Sequence, residues 1–445
     1  MLTVLLFIVG VLIMVVGLAV SIALHEVGHL VPAKRFGVKV GQYMIGFGPT
    51  IFSRMRGETQ YGVKALPLGG YISMSGMFPP AKDGVAGRAS STGFFQTLVQ
   101  DARTASAETI DEEGAEERTF YRLPVYKRII IMLGGPVMNL LIAVVLFAVV
   151  LCGFGVARES TTVGLVNECV LPAGSTATSC PTDATPAPAF AAGLRNGDRI
   201  VSIDGRAMTD GDQVASVLRA SADTTLDVVV DRDGSERTLQ VTPTLSERYV
   251  VDESTGQYEE EADGTPVTRE VGFVGIGFAT ETARQPVTAV LPAVWDNVTH
   301  VVDLIIHLPQ RLVGVAEAAF GGGERDANGP VSVVGVGRMA GEIVSLDSVP
   351  IVDRAAYVVN LLASLNVALF VFNLIPLMPL DGGHIAGALV EAVRRGFAKL
   401  LRRPDPGPVD TAKVIPLTFA VVILLGGMSV LLVYADIVNP ISLFG

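Results

Sequence analysis

The chain has 445 residues, half of them hydrophobic, with a mean hydropathy of +0.49. That is too apolar for an ordinary soluble protein of this size. Its formal net charge of −11 gives no support to a nucleic-acid partner.

Four stretches free of Lys, Arg, Asp and Glu account for the hydropathy: Met1–Leu24, Ile129–Ala157, Ala355–Leu380 and Val414–Ala435. Each matches the roughly 20 residues that a spanning helix needs. The predicted fold class is a polytopic α-helical membrane protein. It has four transmembrane helices, a membrane-associated β region and an inserted extracytoplasmic domain. The first segment, residues 1–37, is read as a retained span. It lacks the basic start of a signal peptide, no A-x-A site follows it, and it ends in His25-Glu26-Val27-Gly28-His29.

Residues 38–76 are rich in Gly and β-formers, predicting short strands in a hairpin or small sheet against the membrane. Residues 77–126 read as a cytoplasmic loop, acidic and flexible over Pro79–Glu117. Residues 127–157 carry the second span, with Asn139 inside it in the run Gly134-Gly135-Pro136-Val137-Met138-Asn139. Residues 163–243 read as a compact β-rich unit with turns at Gly197-Asp198 and Asp233-Gly234. Residues 244–354 are expected to be linker, acidic around Glu259, Glu260 and Glu261, followed by an amphipathic helix within Pro286–Phe320 on the outer membrane surface. The third transmembrane segment covers residues 355–384, a cytoplasmic loop 385–412, and the fourth helix 413–435.

Orientation follows from basic residues beside the spans. Lys34, Arg35 and Lys39, then Arg122, Lys127 and Arg128, then Arg394, Arg395, Lys399, Arg402, Arg403 and Lys413 mark cytoplasmic loops. Both termini and the section from Arg158 to Arg354 are then extracytoplasmic. Cys169 and Cys180 fall in that section, where an oxidising compartment permits a disulfide.

His25 and His29 stand four residues apart, so one helix face aims both imidazoles at one ion. HExxH on a helix is a zinc-hydrolase motif. Glu26 is the candidate base for a metal-bound water. A further ligand must come from another membrane element, and Asp381 is the best candidate, directly after the third span. Pro376 and Pro379 break a regular helix there, and Gly382 and Gly383 permit a sharp turn. His384 is a weaker alternative ligand. Asn139 and Asn373 are span amides that need partners. They are expected to bind substrate carbonyls, to stabilise an oxyanion or to tie the spans together. The blander alternatives are a His–Glu pair that only orients helices and an aspartate that only ends a span. The cost of ionisable groups within a membrane argues against both.

Together these motifs resemble the site-2 protease family of intramembrane zinc metalloproteases. The resemblance is closest to its bacterial RseP-like branch, in the actinobacterial form with one PDZ domain. It is carried by HExxH in the first span, G-G-P-x-x-N in the second, and N-x-x-P-x-x-x-x-D-G at the third. Leu66-Pro67-Leu68-Gly69-Gly70-Tyr71 adds to it in the β region, and the A-G-L-x-x-G-D-x-I-x-x-I-x-G run from Ala192 adds to it in the outer unit. The resemblance implies Zn2+ held by His25, His29 and Asp381, with Glu26 as base. It implies that Asn139, Asn373, Gly69 and Gly70 position substrate and that residues 163–243 are a PDZ domain. Implied partners are the lipid bilayer, single-pass membrane substrates such as anti-sigma factors or remnant signal peptides, and an upstream site-1-type protease acting on the same substrate. A non-enzymatic PDZ-bearing scaffold and a metal transporter are the rival readings. The outer module and β region favour proteolysis, and the few intramembrane charges disfavour transport.

Overall fold

The computed structural model describes residues 2–78, 115–175, 180–181, 184–250, 265–323, 325–326, 329–409 and 414–441. The expected flexible loop at 79–114 and most of the expected acidic linker, 251–264, lie outside these residues.

Helix α1 spans Leu2–Arg35 and leads into strands β1 (Val40–Arg56) and β2 (Thr59–Met74). Helix α2 (Val125–Ala148) continues through a π-helical turn to Phe154. Next come β3 (Val156–Val166), β4 (Arg199–Ile203) and helix α3 (Gly211–Ala220). They are followed by β5 (Leu226–Arg232), β6 (Ser235–Val241), β7 (Thr244–Tyr249), β8 (Thr268–Phe273) and β9 (Ile276–Ala283). Helices α4 (Val290–Ile306), α5 (Leu308–Gly321), α6 (Val333–Ser345), α7 (Ile351–Asn373), α8 (Asp381–Leu400) and α9 (Ile415–Val438) complete the order. These elements form two compact units, one of residues 1–154 with 286–445 and one of residues 155–285.

Among the described residues of the first unit, five helical segments are long and apolar enough to cross a membrane: Leu2–Arg35, Val125–Phe154, Val287–Ile306, Ile351–Asn373 and Ile415–Val438. Four of them overlap the charge-free stretches, and the chain is a multi-pass membrane protein. The remaining one, around α4, carries Asp296 and Asp303. Helix α1 packs on α2 and α6, and α2 packs on α7 and α8. Glycine permits the closest crossing. A Cβ on Gly28 would overlap the Gly134 carbonyl oxygen, and one on Gly134 would overlap that of Gly28. Small residues of this kind let membrane helices approach backbone to backbone.

Two expectations are corrected in this unit. The single amphipathic helix of Pro286–Phe320 is two helices, α4 and α5, that meet at His307. Pro309 has no N–H to extend the α4 ladder and suits the first turn of α5. The cytoplasmic loop 385–412 is largely helix α8, which begins at Asp381 itself. Its Glu391 is fully buried, paired with Arg128 of α2, and accepts the Val409 backbone N–H at 3.1 Å. A buried carboxylate is tolerated when paired in this way.

Strands β1 and β2 fold back on themselves. Residues 40–45 pair with 70–74 on one side and 42–45 with 60–63 on the other, Phe47 pairs with Leu66, and 50–56 pair with 59–64. The result is a sheet of four segments in the order 50–56, 59–64, 40–47, 70–74. Phe47, Ile51, Phe52, Met55 and Leu66 are exposed on it, an apolar surface suited to lipid. Tyr43 ties the sheet to α1 by donating its hydroxyl to the Ala23 carbonyl at 2.8 Å.

The second unit is longer than the expected 163–243. Its main sheet runs β9-β3-β4-β5-β6, with α3 against it, around a core that includes Val163, Ile200, Val214, Leu226, Val228 and Val230. Strand β9, from the expected linker, pairs antiparallel with β3, and β7 pairs with β8. Cys169 and Cys180 form a disulfide with Cα atoms 5.9 Å apart.

Asp198, in the turn before β4, is buried beneath Arg232. It accepts from Arg232 Nε and Nη2, both at 2.7 Å, and from the Arg195 N–H at 2.8 Å. Burial pushes its carboxyl up, but the bonds from Arg232 and Arg195 outweigh this and hold it below the usual value of 3.8. Its contribution to stability is therefore complete above that value and is lost as pH falls through the lower folded one. Arg232→Ala leaves this carboxylate buried and unpaired, at a cost of about 3–5 kcal/mol. Hydrogen exchange in the full chain should show β4 and β5 amides losing protection. Arg199→Ala, which breaks an exposed pair with Asp231, should change little. Equal protection in both variants would refute the role given to Arg232.

Candidate metal centre

The HExxH run lies in the last third of α1, where the helix turns from lipid-facing to buried residues. His25 and His29 are one turn apart, with Nε2 atoms 3.2 Å from each other. The first residue of α8 meets them from far along the chain. Asp381 Oδ2 is 3.3 Å from both Nε2 atoms. The three donor atoms lie within 4.8 Å of one another, and no other such group of His, Cys, Asp or Glu occurs among the described residues.

Asp381 reaches this point because the chain reverses between α7 and α8. A Cβ on Gly382 would overlap the Leu374 and Ile375 carbonyl oxygens, and one on Gly383 would fall 2.6 Å from Met378 N. The two glycines thus let the start of α8 fold against its own approach segment.

The arrangement suits a divalent ion on three counts. Asp381 Oδ2 is buried and has no hydrogen-bond partner, so an acceptor of full negative charge faces two imidazoles. His29 Nδ1 lies 2.7 Å from the Ile131 carbonyl, an acceptor only, so Nδ1 carries the proton and Nε2 presents its lone pair inward. Gly135 leaves the space. A Cβ there would overlap His29 Nε2 and fall 2.7 Å from His25 Nε2. Two neutral imidazoles and one carboxylate, with a position left for water, are a zinc donor set.

Glu26 is outside this cluster. It lies one residue on from His25, about 100° around the helix. It is 9% exposed and borders the sheet. A Cβ on Gly70 would be 3.1 Å from Glu26 Cγ. Gly70, at the start of the edge segment 70–74, therefore lies against the Glu26 side chain, and no strand among the described residues pairs with the outer side of that segment. Gly69, with φ of 116°, has a conformation suited to glycine, and a Cβ there would collide with the Phe47 ring.

The span amides separate. Asn139 is 1% exposed, with its carboxamide 3.2 Å from His25 Nδ1. Asn373 is half-buried at the end of α7, and no hydrogen bond joins it to His25, His29 or Asp381. His384 is outside the donor cluster, near the rings of Phe78 and Phe120 with centroids 6.4 Å away.

Sequence reasoning missed Asn366, fully buried in α7, which donates to Ser21 Oγ of α1 at 3.0 Å. Its signal was an amide one heptad before Asn373. It also missed Gly135, whose role depends on a ring from another helix.

The chain also matches known proteins over most of its length. The sequence model for peptidase family M50 matches residues 13–401. The zinc metalloprotease Rip1 of Mycobacterium tuberculosis is 33% identical over 447 residues, covering 98% of this chain and 99% of that protein. Rip1 of Mycolicibacterium smegmatis is 31% identical over 98% of this chain and 99% of its own length. The metalloprotease MmpA of Caulobacter vibrioides is 29% identical over 87% of this chain and 88% of its own length.

Gly135→Ala should displace the imidazoles and lower zinc affinity by at least about tenfold, measured by chelator competition on purified protein. Gly153→Ala, with nothing within 4 Å of the added carbon, should bind as the native chain does. Native affinity in Gly135→Ala would show that the space is not needed.

Proposed function

The chain belongs to peptidase family M50 and is an intramembrane zinc metalloprotease, and on that premise we propose which residues carry the reaction and on what substrates. His25, His29 and Asp381 hold Zn2+, and Glu26 is the general base. The observation that carries this assignment is the convergence of the three donor atoms from two distant segments. Bound zinc would polarise the scissile carbonyl and activate a water. Glu26 takes the proton of the attacking water and passes it to the leaving amine.

The substrate is a single-pass membrane protein, such as an anti-sigma factor already shortened by a site-1-type protease, or a remnant signal peptide. A helical substrate hides its carbonyls in its own hydrogen bonds and must open before cleavage. The unpaired edge at 70–74 supports capture of the opened stretch as an added strand next to Glu26. Gly69 and Gly70 keep that approach clear, and the amides of Asn139 and Asn373 receive substrate carbonyls.

Four helices span the bilayer: α1, α2, α7 and α9. The basic residues put the His29 end of α1 and the start of α8 on the cytoplasmic side, which supports an active site at that depth. Residues 155–285 are then extracytoplasmic, contain the PDZ domain, and dock or exclude substrate by size. The disulfide there supports this side. Helices α4 and α5 together enter and return rather than cross. Arg325, just after α5, pairs with Asp436 at the outer end of α9, which supports a return to the outside by that point.

Cleavage of a candidate single-pass substrate in detergent tests the assignment. Glu26→Gln should keep zinc and lose about 10²–10⁴ of the rate. Asp381→Asn should lose both metal and cleavage. Normal cutting by either variant would exclude the assigned role. Gly70→Val should retain zinc yet cut slowly, because its side chain fills the space between edge segment and Glu26. Unimpaired cutting would rule out strand capture at this edge.

A further inference from the structure

We infer that Asn139 is a positioning residue for the metal site: its carboxamide oxygen accepts the Nδ1–H of His25 and holds that ring with Nε2 toward Asp381 and His29. The inference rests on the reading of His25, His29 and Asp381 as zinc ligands.

A neutral imidazole has one N–H and one lone pair. A ring that offers Nε2 to a metal must carry its proton on Nδ1, and that N–H needs an acceptor. His29 has one in the Ile131 carbonyl at 2.7 Å. At His25, the group within reach of Nδ1 is the Asn139 carboxamide, with its nitrogen at 3.2 Å. A nitrogen there sets donor against donor. Meanwhile Asn139 Oδ1 is buried with no partner. Oxygen and nitrogen of a carboxamide have nearly the same shape, so their assignment follows the hydrogen-bond network. Turning the amide by half a revolution pairs His25 Nδ1–H with Oδ1 and removes a buried acceptor that lacks a donor. Asn139 is only 1% exposed, so bulk water does not substitute.

With this turn the two imidazoles are held alike. Each directs Nε2 inward and donates Nδ1–H to a carbonyl on α2. His29 uses the backbone at Ile131, and His25 uses the side chain at Asn139, about two helical turns further on. The turn also leaves the amide nitrogen without a protein partner. The same residue thereby keeps a donor for the substrate carbonyl.

The test uses the full-length protein, measuring zinc affinity by chelator competition and the electronic spectrum of the cobalt-substituted form. Asn139→Leu keeps the size and removes the acceptor. It should weaken zinc by about 10–100-fold and alter the cobalt bands. Asn139→Asp keeps an acceptor oxygen and should stay near native in both readouts. If leucine disturbs helix packing, as circular dichroism of the metal-free protein would show, Asn139→Ala carries the same expectation. Native affinity and spectrum in the variants without an acceptor would overturn the inference, leaving Asn139 as a packing residue. Equal weakening in Asn139→Asp would overturn it too. Asp381→Asn in the same assay separates the two levels. Native zinc affinity there would defeat the three-ligand reading itself, whatever Asn139 does.

Discussion

The close crossing of α1 and α2 is the constraint on which the site depends. Gly28 and Gly134 bring the two backbones together where side chains would hold them apart. That approach lets the Ile131 carbonyl reach His29 Nδ1 and lets the Asn139 carboxamide reach His25. It also puts Gly135 opposite the two Nε2 atoms, where a hydrogen takes the place of a side chain. Helix α1 supplies both histidines, but α2 supplies the groups that face their Nδ1 atoms. A helix spacing of four residues aligns two rings on a face and says nothing about which way each turns.

Several polar groups in the apolar unit follow the same rule and are held by another element. Asn366 donates to Ser21, one turn before His25, so α7 is tied to α1 near the metal ligands. Arg128 of α2 pairs with Glu391 of α8, which fastens the helix that begins at Asp381. Arg325 and Asp436 join the loop after α5 to the end of α9. Unpaired charge in a low-dielectric environment is costly, so such pairs select one packing of the helices over its neighbours. Asp381 gains its place through these ties and through the two glycines that fold α8 back on the chain before it.

A protease that cuts within a membrane must also present an extended substrate to its base. On the proposed assignment the small sheet would answer this with its edge at 70–74 near Glu26, while Tyr43 bonds the sheet to the α1 backbone. Its exposed apolar residues permit it to lie against lipid while the edge stays next to the helix. On the proposed assignment, zinc ligands, base and strand edge occupy one place. Local unwinding and hydrolysis can follow one another without moving the peptide.

Much of this was legible in the chain. Charge-free length revealed the spans, and helix periodicity put His25 and His29 on one face. The prolines and glycines around the end of the third charge-free stretch marked Asp381 as the group to meet them, and it does. These are local properties, written within a few turns or at a segment's ends. What lay hidden was every feature that depends on a distant partner. The pairing of β9 with β3 extended the outer unit beyond its predicted limits. Glu391 found Arg128, and α8 formed where a loop was expected. The space at Gly135 and the turn of the His25 ring exist only because α1 and α2 cross where they do. The sequence determined the chemical groups and their local order. The tertiary structure decided which atoms face each other, because in a membrane that choice is made by close packing and by the need of every buried polar group for a partner.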